Sequence, residues 1–105
     1  MELLGDKMRV WVSSAAFVKP NSAVYVFYNR KKEAIYIGNS TNLEKTFSKY
    51  VETDFEGDEC KQKTQFYQRE FIENPKERQL ELIEEFQKET GNMPFCNAEI
   101  QIETR

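Results

Sequence analysis

Histidine is absent from the 105 residues of this chain, and that excludes a good deal of chemistry. There is no Ser-His-Asp triad, no Cys-His pair and no imidazole-held zinc. Any catalysis falls to carboxylates, tyrosines, lysines or a metal bound by oxygen ligands. Cysteine is scarce too. Cys60 and Cys96 stand alone with no Cys-x-x-Cys, too few for a disulfide scaffold, and read as inert thiols in a reduced, cytoplasmic setting. No segment approaches the roughly 20 apolar residues of a membrane span, so no membrane partner is expected. No basic start followed by an apolar run marks a signal peptide, and neither repeats nor low-complexity tracts are visible.

An excess of positive charge is also missing. The net charge is −3 and the pI near 5.1, which argues against a purely electrostatic nucleic-acid binder. The signs are unevenly spread. Residues 22–50 carry five bases against two acids, and residues 61–69 three bases and no acid, whereas residues 51–60 carry five acids and no base. Folding the two basic stretches together gives a local basic face on an acidic domain; leaving them apart gives a solvated surface of mixed sign. Apolar residues make up 39 % of the chain and charged residues 31 %, within the range of one globular domain.

What is present is organised around residues 23–50. Ala23 to Tyr28 is β-branched and aromatic, residues 29–33 form a polar, basic turn, and Ala34 to Ile37 is a second strand ended by Gly38. Alternation puts Val24, Val26 and Tyr28 on one side and Tyr25 and Phe27 on the other; in the second strand it puts Ile35 and Ile37 opposite Tyr36. Both faces are apolar, so cover on both sides is expected. Thr41 and Glu44 fit a capping box, and Leu43, Phe47, Tyr50 and Val51 follow at helical spacing to about residue 51.

Before this block, residues 1–21 read as an arm packed on the domain of residues 22–105. Met8 to Val12 is a short strand or extended arm, and Trp11 and Phe17 pack inward. After it comes an acidic loop, then a third strand near residues 64–72. Asn74-Pro75-Lys76-Glu77 starts a second helix, with Asn as cap and Pro at the first helical position. That helix runs to about Glu89 with Leu80, Ile83 and Phe86 as its buried stripe, and Gly91 stops it. Residues 97–103 alternate as a short final strand. The fold class is α+β: a small, mainly antiparallel sheet of three or four strands flanked by two helices.

The triplets Ala23-Val24-Tyr25 and Tyr36-Ile37-Gly38, ten residues apart and followed by a capped helix, resemble the GIY-YIG nucleases. The strand-strand-helix-strand-helix order and the closing Pro94-Phe95-Cys96-Asn97, similar to the family's Pro-x-x-Asn, extend the resemblance over roughly residues 22–97. The resemblance implies DNA as partner and one divalent metal, Mg²⁺ or Mn²⁺, held by a helical Glu, with two tyrosines and an Arg around the scissile phosphate. It makes Tyr25, Tyr36, Gly38 and Asn97 the catalytic candidates. Ala23 stands where Gly is usual. Thr46 stands where the Arg is usual, leaving Lys45 and Lys49 as the nearest bases. Aligning Leu82-Ile83 with the family's apolar pair puts Gln79 at the place of the Glu, so Glu81 is the candidate metal ligand. The bases Arg30, Lys31, Lys32, Lys45 and Lys49, with Lys61, Lys63 and Arg69, are the candidate phosphate contacts.

Three functions follow from these residues: a metal-dependent DNA endonuclease, a domain that binds nucleic acid without cutting it, or a protein-interaction module that keeps the fold alone. Each site residue also has a purely structural reading. Cross-strand tyrosines stabilise sheets, Gly38 suits a strand-to-helix turn, and Glu81 suits a solvated helix face.

Overall fold

Ala23–Tyr28 is buried along its whole length because it lies between two other strands and under helices on both sides. The computed structural model describes residues 3–97. Its elements are β1 (Arg9–Val10), α1 (Trp11–Ser14), β2 (Ala23–Tyr28), β3 (Ala34–Ser40), α2 (Leu43–Thr53), β4 (Phe66–Phe71) and α3 (Pro75–Thr90), with short 3₁₀ turns at Ala15–Phe17, Phe55–Gly57 and Lys61–Lys63. The strands form one antiparallel sheet in the order β1-β4-β2-β3. The protein is α+β, and its fourth described strand is Arg9–Val10, before the hairpin. Of the final strand expected over residues 97–103, Asn97 is helical and the rest lies outside the described residues.

One face of the sheet carries Tyr25, Phe27, Ile35, Tyr36 and Tyr67, and α2 covers it with Leu43, Phe47 and Tyr50. Trp11 packs among Phe27, Phe47, Phe55 and Tyr67 with centroids 4.9–5.8 Å apart, mostly edge-on, as ring quadrupoles favour. Phe17 departs from expectation: it is 84 % exposed. The other face carries Val24, Val26, Tyr28, Ala34 and Ile37 under Leu82 of α3 and under Leu3 and Leu4. Gln68, on this face, holds the N-terminal segment by accepting from Leu4 N and donating to the Leu4 and Asp6 carbonyls.

Alternation fails at Ile35. Phe27 pairs with Tyr36 and Tyr28 with Ala34, so Ile35 is the extra residue of a β-bulge and joins Tyr36 in the α2-side cluster instead of Ile37.

The helices start and face differently from their patterns. The cap of α2 is Asn42, whose Oδ1 accepts from Lys45 N at 3.1 Å; Ser40 Oγ accepts from Asn42 N, and the Thr41–Glu44 capping box is not what holds this end. Val51 is half exposed. Asn74 sits at the cap of α3 without a side-chain bond, and Pro75 at its first turn, with no N–H to satisfy, does the starting. The stripe of α3 is Gln79, Leu82, Ile83 and Phe86. Leu82 is fully buried, whereas Leu80, expected inside, is 58 % exposed. Ile83 and Phe86 pack as expected, and only Leu80 departs from the expected stripe, because the neutral Gln79 faces the sheet in its place.

Cys60 and Cys96 are not free thiols: they are joined in a disulfide, with Cα atoms 5.7 Å apart. The bond ties the loop after α2 to the turn that carries Asn97. That loop begins with four consecutive residues at positive φ, 54–57, and Phe55 is buried within it. Left-handed backbone costs little at Gly57 but is uncommon at Phe55. Packing of the Phe55 ring on Trp11, Phe27 and Tyr50 offsets that cost. No described helix is long and apolar enough to cross a membrane.

Candidate active site

The pairing of Tyr25 with Gly38 across β2 and β3 builds the site. Residues 36 and 38 share a face, so Tyr36, Gly38 and Tyr25 converge on the side covered by α2. The ring of Tyr25 leans over Gly38. Its centroid lies 6.0 Å from that of Tyr36, and its hydroxyl lies 3.5 Å from the hydroxyl of Tyr50 of α2. Lys61 completes the cluster from the turn before β4. Its Nζ lies 4.3 Å from the Tyr36 ring centroid, donates to the Tyr50 hydroxyl at 3.3 Å, and stands 4.0 Å from Asp58 Oδ2.

Burial governs the proton affinities here. It raises the Tyr25 hydroxyl well above its ordinary range, and the neighbouring Tyr36 and Tyr50 add to the effect. Burial also raises Tyr36, with the charge of Lys61 pulling the other way. For Lys61, burial opposes the ammonium, but Tyr36, Tyr50 and Asp58 outweigh it and hold the group above its ordinary value. At neutral pH Tyr25 and Tyr36 are therefore protonated hydroxyls beside one cation, Lys61. Such groups donate to an anion. They lack the proton affinity near neutrality that a general base needs.

Asn97 is buried and acts on backbone. Its Oδ1 accepts from Ile37 N at 2.7 Å and its Nδ2 donates to Ile37 O at 2.9 Å, so the amide stands in for a neighbouring strand at the edge of β3. Gln79 of α3 donates to the same Ile37 carbonyl at 2.8 Å and accepts from Asn39 Nδ2 at 2.6 Å. Glu81, two residues on and therefore across the helix from Gln79, is exposed and paired with Arg78 at 3.0 Å. It is not brought to the tyrosines. Thr46 does face the strand: its hydroxyl and that of Ser40 are 2.6 Å apart.

The other bases lie elsewhere. Lys45 and Lys49 are exposed on α2, and Lys49 pairs with Glu56 at 3.4 Å. Arg30, Lys31 and Lys32 sit on the hairpin turn beyond Tyr28, about 10 Å along β2 from Tyr25. Arg30 and Lys31 share a shallow hollow there with Lys63. Arg69 is occupied by Asp6 at 3.1 Å. Lys61 was thus one base among several in the sequence, and the structure singles it out. Nothing in its local pattern marks it, since burial beside Tyr36 depends on the loop between α2 and β4.

The metal expectation meets the same geometry. The side chain that α3 turns toward β3 is the Gln79 amide, with its N–H₂ given to Ile37 and its oxygen taken by Asn39. Among the described residues no three of His, Cys, Asp and Glu gather where they could hold a metal ion.

No curated protein matches the chain. The family model of the GIY-YIG catalytic domain matches residues 21–93. That span takes in both triplets, α2, the Lys61 turn and the whole of α3, and the chain belongs to the GIY-YIG family.

Proposed function

We propose that this domain binds nucleic acid at the phosphodiester backbone and does not cut it by metal-driven hydrolysis. Nucleases of the family are typically dependent on a divalent metal, and family membership points to DNA as the partner. The observation that carries the proposal is Gln79. An amide whose two ends are engaged by Ile37 and Asn39 offers no charge to a divalent cation, and its oxygen already accepts from Asn39. The residues present do not fit the metal, so no step is derived through one. Thr46 supplies a hydroxyl instead of a guanidinium, and the raised tyrosines suit hydrogen-bond donation better than proton abstraction. Arg30, Lys31 and Lys63 line one hollow together with Glu33, and Lys63 is two residues from Lys61 in the chain. A DNA ligand fits the cytoplasmic setting expected from the sequence. There the Cys60–Cys96 bond has to resist a reducing pool, and the burial of Cys96 favours that.

The test uses labelled single-stranded, duplex and branched DNA with Mg²⁺ and Mn²⁺ in separate reactions. Salt-sensitive binding without cleavage is the expected result. Metal-dependent cutting that disappears in Tyr36→Phe would overturn the proposal and restore the endonuclease reading. A folded protein that binds none of the DNAs at low salt would leave the protein-interaction reading.

A further inference from the structure

Among the described residues the ammonium of Lys61 has no close counter-charge. Its hydrogen bond to the Tyr50 hydroxyl is 3.3 Å long, and the Asp58 carboxylate is at the outer limit of an ion pair. A buried charge this weakly paired is costly, yet the chain takes trouble to place it. Asp58 Oδ1 accepts from both Cys60 N and Lys61 N, at 2.9 and 3.4 Å, and Lys61 O accepts from Thr64 N at 3.0 Å. Cys60, immediately before it, is bonded to Cys96. The turn is braced on both sides, and the side chain runs inward along the Tyr36 ring. Of the cluster, Tyr25 is sealed at 2 % exposure, while Tyr36 and Lys61 keep a solvent-facing rim.

We propose that Lys61 is the phosphate-contacting cation of this site, delivered by the Lys61–Lys63 turn in place of the guanidinium that the helix position of Thr46 no longer supplies. The ammonium has three donors, of which Tyr50 takes one. A phosphate oxygen seated beside the Tyr36 hydroxyl takes another and provides the charge that Asp58 supplies only from 4.0 Å. Of the other cations, Arg69 is committed to Asp6, Lys49 to Glu56 and Lys32 to the face of Phe66, while Arg30, Lys31 and Lys63 line a separate hollow at the hairpin turn. The inference rests on the phosphodiester-binding reading and deepens it by naming the group that meets the phosphate.

The test measures affinity for a single-stranded oligonucleotide across a salt series, with Lys61→Met and Lys61→Arg beside wild type. Each lysine–phosphate contact contributes a slope of about 0.7 in log K against log salt for single strands. Lys61→Met is expected to weaken binding and to lower the slope by about that amount, and Lys61→Arg to keep it. The Lys61 Cε–Hε signals of the wild type are expected to shift as the oligonucleotide saturates. This readout stands even where Lys61→Met fails to fold, and a purely structural lysine does not produce it. Wild-type binding with an unchanged slope in Lys61→Met, or unmoved Lys61 signals at saturation, overturns the role of Lys61 and leaves the binding function standing. Absence of wild-type binding at low salt overturns both.

Discussion

The ring of Tyr25 occupies the space that any side chain at Gly38 would need: a Cβ there would meet Tyr25 Cζ at 2.4 Å, its hydroxyl at 2.5 Å and Cε2 at 2.7 Å. Gly38 is in ordinary extended backbone, so its requirement is close approach and not a left-handed turn. The second triplet of the family is thereby explained from within the sheet. Glycine at its end lets a tyrosine of the neighbouring strand lie across it.

Gly38→Ala is accordingly expected to destabilise the domain by about 1–3 kcal/mol, the usual cost of overpacking a core. Replacing the ring relieves the clash, so Gly38→Ala is expected to cost clearly less in a Tyr25→Ala background. A double-mutant cycle by urea denaturation reads the coupling. Additive losses would show that the ring does not hold that position.

The amide of Asn97 and the disulfide beside it form one fastening. Cys60 and Cys96 are 36 residues apart in sequence, and closing a loop of that length is worth about 3–4 kcal/mol in the chain-entropy account. Reduction, or Cys60→Ser with Cys96→Ser, is expected to lower stability by up to that amount. It is also expected to loosen the hold of Asn97 on Ile37, so the Ile37 amide, which donates to Asn97 Oδ1, should exchange faster with solvent. Hydrogen exchange with and without reductant checks this. Unchanged protection of Ile37 would mean that Asn97 docks without help from the disulfide.

Much of the sheet was legible, because its signals are local. The β-branched run Ala23–Tyr28, the turn after it and the Gly91 stop each specify their own conformation. The misses involve relations across the chain. The Ile35 bulge follows from strand register, which no alternation pattern records. The exposure of Leu80 follows from Gln79 turning its amide toward β3, a polar residue on a face that sequence reading reserves for apolar ones. Tyr25, Tyr36 and Gly38 were legible as a set through their spacing. Lys61 was not, because it approaches Tyr36 only through the left-handed bend at residues 54–57 and the Cys60 anchor.

Asp6 ties the N-terminal segment to the sheet. Its carboxylate accepts from Arg9 Nε and Nη2 and from Arg69 N and Nη1, each at 3.1 Å. Burial alone would raise its proton affinity, but the two arginines outweigh burial and hold it below the ordinary carboxylate value. A carboxyl depressed in the folded state stabilises the fold above its unfolded pKa, near 4. The contribution disappears as the pH falls through the lower folded value. Asp6→Asn is expected to cost about 1.5–3 kcal/mol at pH 7, in the range for hydrogen bonds to charged groups. The gap from wild type should narrow steadily below about pH 4. Urea midpoints measured from pH 7 down to pH 2.5 test this, and a gap independent of pH would assign the loss to shape and not to charge.

Lys61 and Tyr36 give a titration that needs no nucleic acid. The Tyr36 hydroxyl is raised by burial and pulled back by the adjacent ammonium, whose Nζ lies over its ring. Removing the charge while keeping an apolar stem leaves burial unopposed. In Lys61→Met, Tyr36 should therefore ionise at higher pH than in wild type. The Cζ resonance of Tyr36 followed through alkaline pH reads the change. An unmoved Tyr36 would place the ammonium too far from the ring to share a phosphate with its hydroxyl. An upward shift fixes the two groups close enough to receive one.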